Sequence, residues 1–257
     1  MKVFSVIFKE NGKGYYFNGE DNFKINDYVI VETEKGIQYG RINGIINEIS
    51  GGDDYKNIIR LANNEDQKKY EKILKENIEA LNKAKEIVVN LNLNMNIINA
   101  EFTFEKDQLL FNFVSDERVD FRELAKKLAS IYHTRIELRQ IGARDKAKEI
   151  GGFGVCGQKL CCQRFLNHID AISMNMAKNQ NLALNPSKIN GVCGRLLCCL
   201  QYEDENYIEC SKNLPSIGEN IKTVNGDGKV VSVDILNRKC KVLINGNKEE
   251  VEFDRNE

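Results

Sequence analysis

Apolar and polar residues alternate at the start of the chain. Residues 2–8 do so with enough β-branched side chains to predict a strand. A turn at 11–14 (Asn11-Gly12-Lys13-Gly14) leads into Tyr15, Tyr16 and Phe17 as a second strand. Asn26-Asp27 reads as the next turn, 28–33 as a strand, Lys35-Gly36 as a turn and 37–46 as a further strand. Short strands joined by tight turns at this spacing predict a small β-barrel or curled sheet. Ser50, Gly51, Gly52, Asp53 and Asp54 read as a linker.

The period then changes. Residues 57–62 can form a strand. Asn64 with Gln67 three positions on has the form of a helix cap. Tyr70, Ile73, Leu74, Ile78, Leu81, Ala84 and Val88 follow at helical spacing, predicting one amphipathic helix over 65–91. Residues 97–104 and 109–114 predict a hairpin. Asp120 is placed to cap a helix carrying Phe121, Leu124, Leu128 and Ile131, and 135–141 reads as a strand. This β-α-β-β-α-β order predicts a ferredoxin-like unit, a fold that names no function. From Pro215 the pattern returns to β: strands at 220–224, 229–235, 241–244 and 249–253, with turns at 225–228, 237–238 and 245–246, predict an antiparallel meander or second small barrel. The class is α+β: an N-terminal β-barrel-like unit (1–50), a ferredoxin-like unit (51–150), a cysteine-rich region (151–211) and a C-terminal β-barrel-like meander (212–257).

The cysteine-rich region carries the chemistry. Residues 154–162 read Gly-Val-Cys-Gly-Gln-Lys-Leu-Cys-Cys, and 191–199 read Gly-Val-Cys-Gly-Arg-Leu-Leu-Cys-Cys, differing only within the spacer. Six of the eight cysteines lie in these two copies: Cys156, Cys161, Cys162, Cys193, Cys198 and Cys199. Two matched thiol clusters are what a metal or iron–sulfur site requires. Gly157 and Gly194 permit a tight turn after the first cysteine, in which backbone N–H groups can face sulfur. In an extended chain neighbouring side chains point to opposite faces, so each Cys-Cys pair is expected to turn one sulfur inward. One complete four-thiolate site, or two incomplete sites finished by a partner protein, are both open. Four thiolates suit zinc as well as iron. Cys210 and Cys240 have no counterpart at such spacing and read as core or surface thiols. His133 reads as a helix-end residue and His168 as a surface or core residue.

Composition narrows the setting. The chain has 257 residues, a hydrophobic fraction of 42% and a formal net charge of −1, which gives no general bias toward nucleic acid or membrane. Charge follows too soon after Met1 for a signal peptide, and no apolar run is long enough to cross a bilayer. A cytoplasmic location, with reduced thiols, is the expectation. Between 135 and 199 ten cations face four anions. This basic centre, including Arg139, Arg144, Lys159, Arg164 and Arg195, can follow phosphates or offset thiolate charge. Phe153 and Phe165 can stack on bases, though core packing is the expected role. No phosphate-binding glycine loop, dinucleotide fingerprint or nucleophile signature is present, and Cys-Cys is not a thioredoxin-type spacing. A non-enzyme is expected.

Phe121-Arg122-Glu123-Leu124, Arg135 through Gly142, the two cysteine motifs and Met176-Ala177-Lys178-Asn179-Gln180-Asn181-Leu182 resemble the YaaT (RicT) family. That family is part of the wider group carrying the polymerase-suppressor (PSP-one) C-terminal conserved region. Asp27 through Thr33 with Gly36 and Gly40, and the closing β segment, fit as well, so the resemblance covers essentially the whole chain. It implies a cytoplasmic regulator, not inserted in membrane, that assembles with two small helical partners of the YlbF and YmcA type. It further implies a 4Fe-4S iron–sulfur cluster on the six cysteines. The implied role is messenger RNA maturation by an endoribonuclease, with effects on sporulation, competence or biofilm control. The alternative is a zinc-stabilised nucleic-acid-binding protein acting alone.

Overall fold

The computed structural model describes residues 2–9, 12–20, 22–34, 36–46, 55–166, 169–244 and 246–252. The expected linker at 50–54 and His168 lie outside them. The chain divides into two compact units, Met1–Asn167 and His168–Glu257.

The first unit opens with a five-stranded antiparallel sheet: β1 (Lys2–Ile7), β2 (Tyr15–Gly19), β3 (Tyr28–Thr33), β4 (Gly36–Ile46) and β5 (Ile58–Leu61), in the order β2-β1-β4-β3-β5. Alternation sends Phe4, Val6, Phe17, Val29, Val31 and Ile42 to one face, where they are buried with Phe23 and Ile58. The sheet curls until its edges approach. The N–H of Asn18 in β2 donates to the carbonyl of Lys56 at 2.9 Å, and a single bridge joins Asn18 to Asn57 beside β5.

This arrangement corrects the ferredoxin-like reading. The strand expected to begin that unit, β5, pairs with β3 and belongs to the first sheet, so the boundary at residue 50 is not where the first sheet ends. Its one buried side chain, Ile58, completes the curled core, and its backbone satisfies what would otherwise be the open edge of β3. What remains is α1 (Asn64–Asn90), β6 (Asn96–Phe102), β7 (Gln108–Val114), α2 (Arg122–Tyr132) and β8 (Arg135–Gln140). The sheet order is β6-β7-β8, with β6 antiparallel and β8 parallel to β7 across α2. Ala80, Ala84, Ile87 and Val88 of α1 and Leu124 and Leu128 of α2 bury against Leu109, Phe111 and Phe113 of β7.

The cap of α1 lies one residue before the expected position. The Asn63 side chain accepts from the N–H of Asp66 at 2.8 Å, and the Asp66 carboxylate accepts from the N–H of Asn63 at 2.9 Å. Asp66 also receives the Arg60 guanidinium, with Nη2 to Oδ1 at 3.0 Å, which fixes the acid better than Gln67 could be fixed. The hydrogen bond from Arg60, against the opposing effect of burial, holds the Asp66 carboxyl below the usual carboxylate range. Asp120 serves α2 from just outside the first turn, accepting from the N–H of Arg122 at 3.1 Å.

In the first unit two helices fall where no periodicity predicts one. The charged stretch after Gly142 is α3 (Ala143–Ile150), with no buried residue. It is held through Glu149, whose carboxylate meets Lys9 Nζ at 3.3 Å and accepts from Asn99 Nδ2 at 2.7 Å. The short α4 (Cys161–Arg164) ends the helical part of this unit.

In the second unit α5 (Met174–Asn179), α6 (Pro186–Ile189) and α7 (Cys198–Ser211) enclose a small core of Ala177, Ile189 and Leu200. Then β9 (Asn220–Thr223), β10 (Gly226–Asp234), β11 (Lys239–Ile244) and β12 (Asn247–Glu252) form an open antiparallel meander, with β9 and β12 as its edges. No strand pairing closes it into the expected barrel among the described residues. The expected turn at 225–228 is also shorter, because Gly228 already lies in β10. A Cβ at Gly228 would come within 2.5 Å of the Ile244 and Val242 side chains, so glycine there serves close packing of the sheet rather than a turn. Among the described residues no helix is long and apolar enough to cross a membrane.

Candidate functional site: two cysteine turns

The sequence repeat is a structural repeat. In the first copy the N–H of Gly154 donates to the carbonyl of Gln158 at 2.8 Å, and that of Gly157 to the carbonyl of Gly154 at 3.0 Å. In the second, Gly191 donates to Arg195 at 2.8 Å and Gly194 to Gly191 at 2.9 Å. Gly157 and Gly194 adopt φ of 74° and 75°, the left-handed region that glycine enters without a steric cost. An isolated antiparallel bridge, Phe153 to Lys159 or Asn190 to Leu196, closes each turn. Leu160 and Leu197 then turn the chain into a helix with φ,ψ of −52°,130° and −59°,131°.

This geometry places the sulfurs. Cys156 and Cys193 ride on the turns; a methyl added at Gly154 or Gly191 would sit 3.5 or 3.8 Å from their Sγ atoms. Cys161 and Cys162 are the first two residues of α4, and Cys198 and Cys199 the first two of α7. The expectation of extended Cys-Cys pairs with opposed side chains is therefore corrected. On a helix successive side chains are separated by about 100° rather than opposed, so both sulfurs of a pair can lie toward one side. Cys156 is exposed, Cys162 is buried, and the other four are partly buried. None of the eight cysteines is in a disulfide.

Cys156, Cys161 and Cys162 belong to the first compact unit, and Cys193, Cys198 and Cys199 to the second. Among the described residues no three His, Cys, Asp or Glu side chains gather closely enough to hold a metal ion. The donor chemistry of each copy still fits a thiophilic metal or iron–sulfur cluster. Each presents thiols from a glycine turn and from a helix start. The six cysteines of the two copies, Cys156, Cys161, Cys162, Cys193, Cys198 and Cys199, are the residues that could hold such a group, with Cys162 the one that is buried.

The remaining candidates scatter. Cys240 lies in β11 with 1% exposure, packed among Val230, Val242 and Ile244, and burial pushes its thiol pKa up. Cys210 sits partly buried near the end of α7. His133 ends α2 with φ of 51°, as a helix-end residue. Arg139 is exposed on β8, Arg144 is half-buried on α3, Lys159 is exposed in the first turn, and Arg164 is exposed at the end of α4. All four are in the first unit; Arg195, exposed in the second turn, is in the other. Phe153 and Phe165, expected to pack in a core, are 66% and 46% exposed. Sequence reasoning missed Arg238, a buried arginine whose Nη1 donates to the carbonyls of Cys210 at 2.8 Å and Lys212 at 3.0 Å, tying down the end of α7. A lone arginine in a polar turn carries no signal of that role.

Residues 56–141 match the PSP1 C-terminal conserved region, and 171–214 match the third domain of PSP1-like proteins. The second cysteine turn lies inside a matched segment and the first lies between the two. Stage 0 sporulation protein YaaT of Bacillus subtilis (strain 168) is 46% identical over 252 residues, spanning 96% of this chain and 91% of that protein. This chain belongs to the YaaT family. Two yeast proteins share shorter stretches. Protein PSP1 of Saccharomyces cerevisiae is 52% identical over 46 residues, 18% of this chain and 6% of that protein. An uncharacterised protein of Schizosaccharomyces pombe is 26% identical over 168 residues, 52% of this chain and 22% of that protein. No solved structure matches.

Proposed function

We propose that this chain is a non-enzymatic regulatory subunit of a bacterial cytoplasmic complex, one that binds an iron–sulfur cluster through its doubled cysteine turn and directs messenger RNA maturation by an endoribonuclease. The observation that carries the reading is the repeat itself: two copies of one turn, matched in hydrogen bonds and dihedral angles, each delivering thiols. A structural or packing role for cysteine does not call for such duplication. Each copy has three cysteines, one fewer than a four-thiolate site, so each copy is an incomplete site that a partner protein can finish. The name of the Bacillus relative ties that protein to sporulation, and the same developmental setting is proposed here. The helical partners are of the YlbF and YmcA type. The bound cluster supplies cross-linking of thiolates from separate chain segments, and site energy of that kind is folding energy.

Anaerobic purification of the full chain with its partners tests the reading. Iron and acid-labile sulfide in comparable amounts are expected, in brown protein. Colourless protein with stoichiometric zinc replaces the cluster with the zinc-stabilised, nucleic-acid-binding alternative. Cys156→Ser and Cys193→Ser should each remove the iron, because each cysteine stands alone on its turn. Cys162→Ser should retain more iron than Cys161→Ser, since Cys162 is only 6% exposed. The isolated chain should cleave no RNA, and its deletion should change transcript processing only where the nuclease is present.

A further inference from the structure

The edge of the α/β sheet carries a self-complementary pattern. β8 is the last strand of the order β6-β7-β8, and no strand lies on its outer side among the described residues. In the parallel ladder with β7, the N–H of Arg135 donates to Asp107 and that of Ile141 to Phe113. Alternation therefore turns the backbone groups of Arg135, Glu137 and Arg139 toward β7, and those of Ile136, Leu138 and Gln140 outward. The side chains divide by the same parity. Ile136 and Leu138 pack against the core shared with α1 and α2, whereas Arg135, Glu137 and Arg139 are exposed on the opposite face.

We propose that two copies of this chain associate by pairing their β8 edges antiparallel about Leu138. A two-fold axis at Leu138 sets Leu138 opposite its own copy and Ile136 opposite Gln140 of the other chain. These are the residues whose backbone groups face outward, as a hydrogen-bonded antiparallel pair requires. The same axis sets Glu137 opposite Arg139 in the close, non-hydrogen-bonded positions, twice by symmetry. Unlike charges directly opposite stabilise a ladder and like charges oppose it. An axis at Glu137 would instead oppose glutamate to glutamate and Arg135 to Arg139. An axis at Ile136 would run past the start of β8 into His133, whose φ of 51° breaks the strand. Charges on an edge strand ordinarily discourage pairing; here their alternating sign admits one register and one partner, a second copy. The sheet would become six-stranded and continuous across the axis, without using the cysteine turns.

Sedimentation velocity of the full chain, over a concentration series reaching about 100 µM, tests this. A concentration-dependent dimer is expected. Glu137→Arg and Arg139→Glu should each weaken it about tenfold or more, since both cross pairs become repulsive. The double exchange Glu137→Arg with Arg139→Glu should restore it. An equimolar mixture of the two single variants should form the mixed dimer, because the pairs are again of opposite sign. Monomer throughout the series, a dimer indifferent to either reversal, or a loss that neither the double exchange nor the mixture repairs would overturn the proposal. The restoring arms separate a lost interface from a variant that fails to fold.

Discussion

The two cysteine turns begin alike and end differently. After the first, the helix lasts four residues, Cys161–Arg164; after the second it runs fourteen, Cys198–Ser211. After the matched cysteines the divergence begins at the third helical position. Leu200 is 1% exposed and packs with Ala177 and Ile189, while its counterpart Gln163 rests its amide beside Gly151. Within the spacer, Leu196 joins the same small core, whereas Lys159 is exposed. Gln180 Nε2 donates to the Leu200 carbonyl at 2.7 Å and Asn179 Nδ2 to Asp204 at 3.0 Å, so α5 steadies α7. The repeated residues specify the turn and the sulfur positions. What the turn is anchored to depends on the neighbours of the repeat.

The largest effect expected from breaking this comparison is at Leu200. Leu200→Ala should cost about 2–5 kcal/mol in denaturant unfolding, the range for a buried leucine truncated in place. Gln163→Ala should stay within about 0.5 kcal/mol. Equal costs would mean that packing at this position does not separate the two copies. Next come the features the copies share. Gly157→Ala and Gly194→Ala have open space for a methyl but hold a left-handed φ, so each should cost about 1–2 kcal/mol, and by similar amounts. Unequal costs would show that the turns differ in rigidity despite matching dihedrals.

A smaller effect, remote from both turns, calibrates the rest. Asp66→Ala removes a capping box and an ion pair and should cost about 1 kcal/mol. The Asp66 pKa is depressed in the folded state, so the unfolded state binds the proton more readily. Its contribution is present above the ordinary carboxylate pKa of about 4 and is lost as pH falls through the lower folded value. An acid-unfolding series should show a shallower acid limb for Asp66→Asn than for the unaltered chain. The smallest perturbation is chemical labelling of the native protein at neutral pH. Exposed Cys156 should alkylate first and Cys240 last, since Cys240 is both buried and raised in pKa. Mass spectrometry of the labelled peptides reads the order directly.

Much of this chain is decided within short windows, and the sequence determines those parts by itself. Period-two alternation locates β1, β3 and β4, period 3.6 locates α1, and a glycine at a left-handed position followed by paired cysteines specifies the doubled turn. These features depend on residues a few positions apart. The rest depends on partners distant in the chain. The tertiary structure gave β5 to the first sheet, because Ile58 completes that core and β3 offers an edge. It made α3 a helix with no buried stripe, held by Glu149 against Lys9 and Asn99. It placed the Cys-Cys pairs on helix starts rather than extended strands, left Phe153 exposed, and buried Arg238 under the end of α7. For β5, α3 and Arg238 a hydrogen bond, an ion pair or a packed side chain from a separate segment outweighs a weak local preference, and no local pattern records where that segment will be.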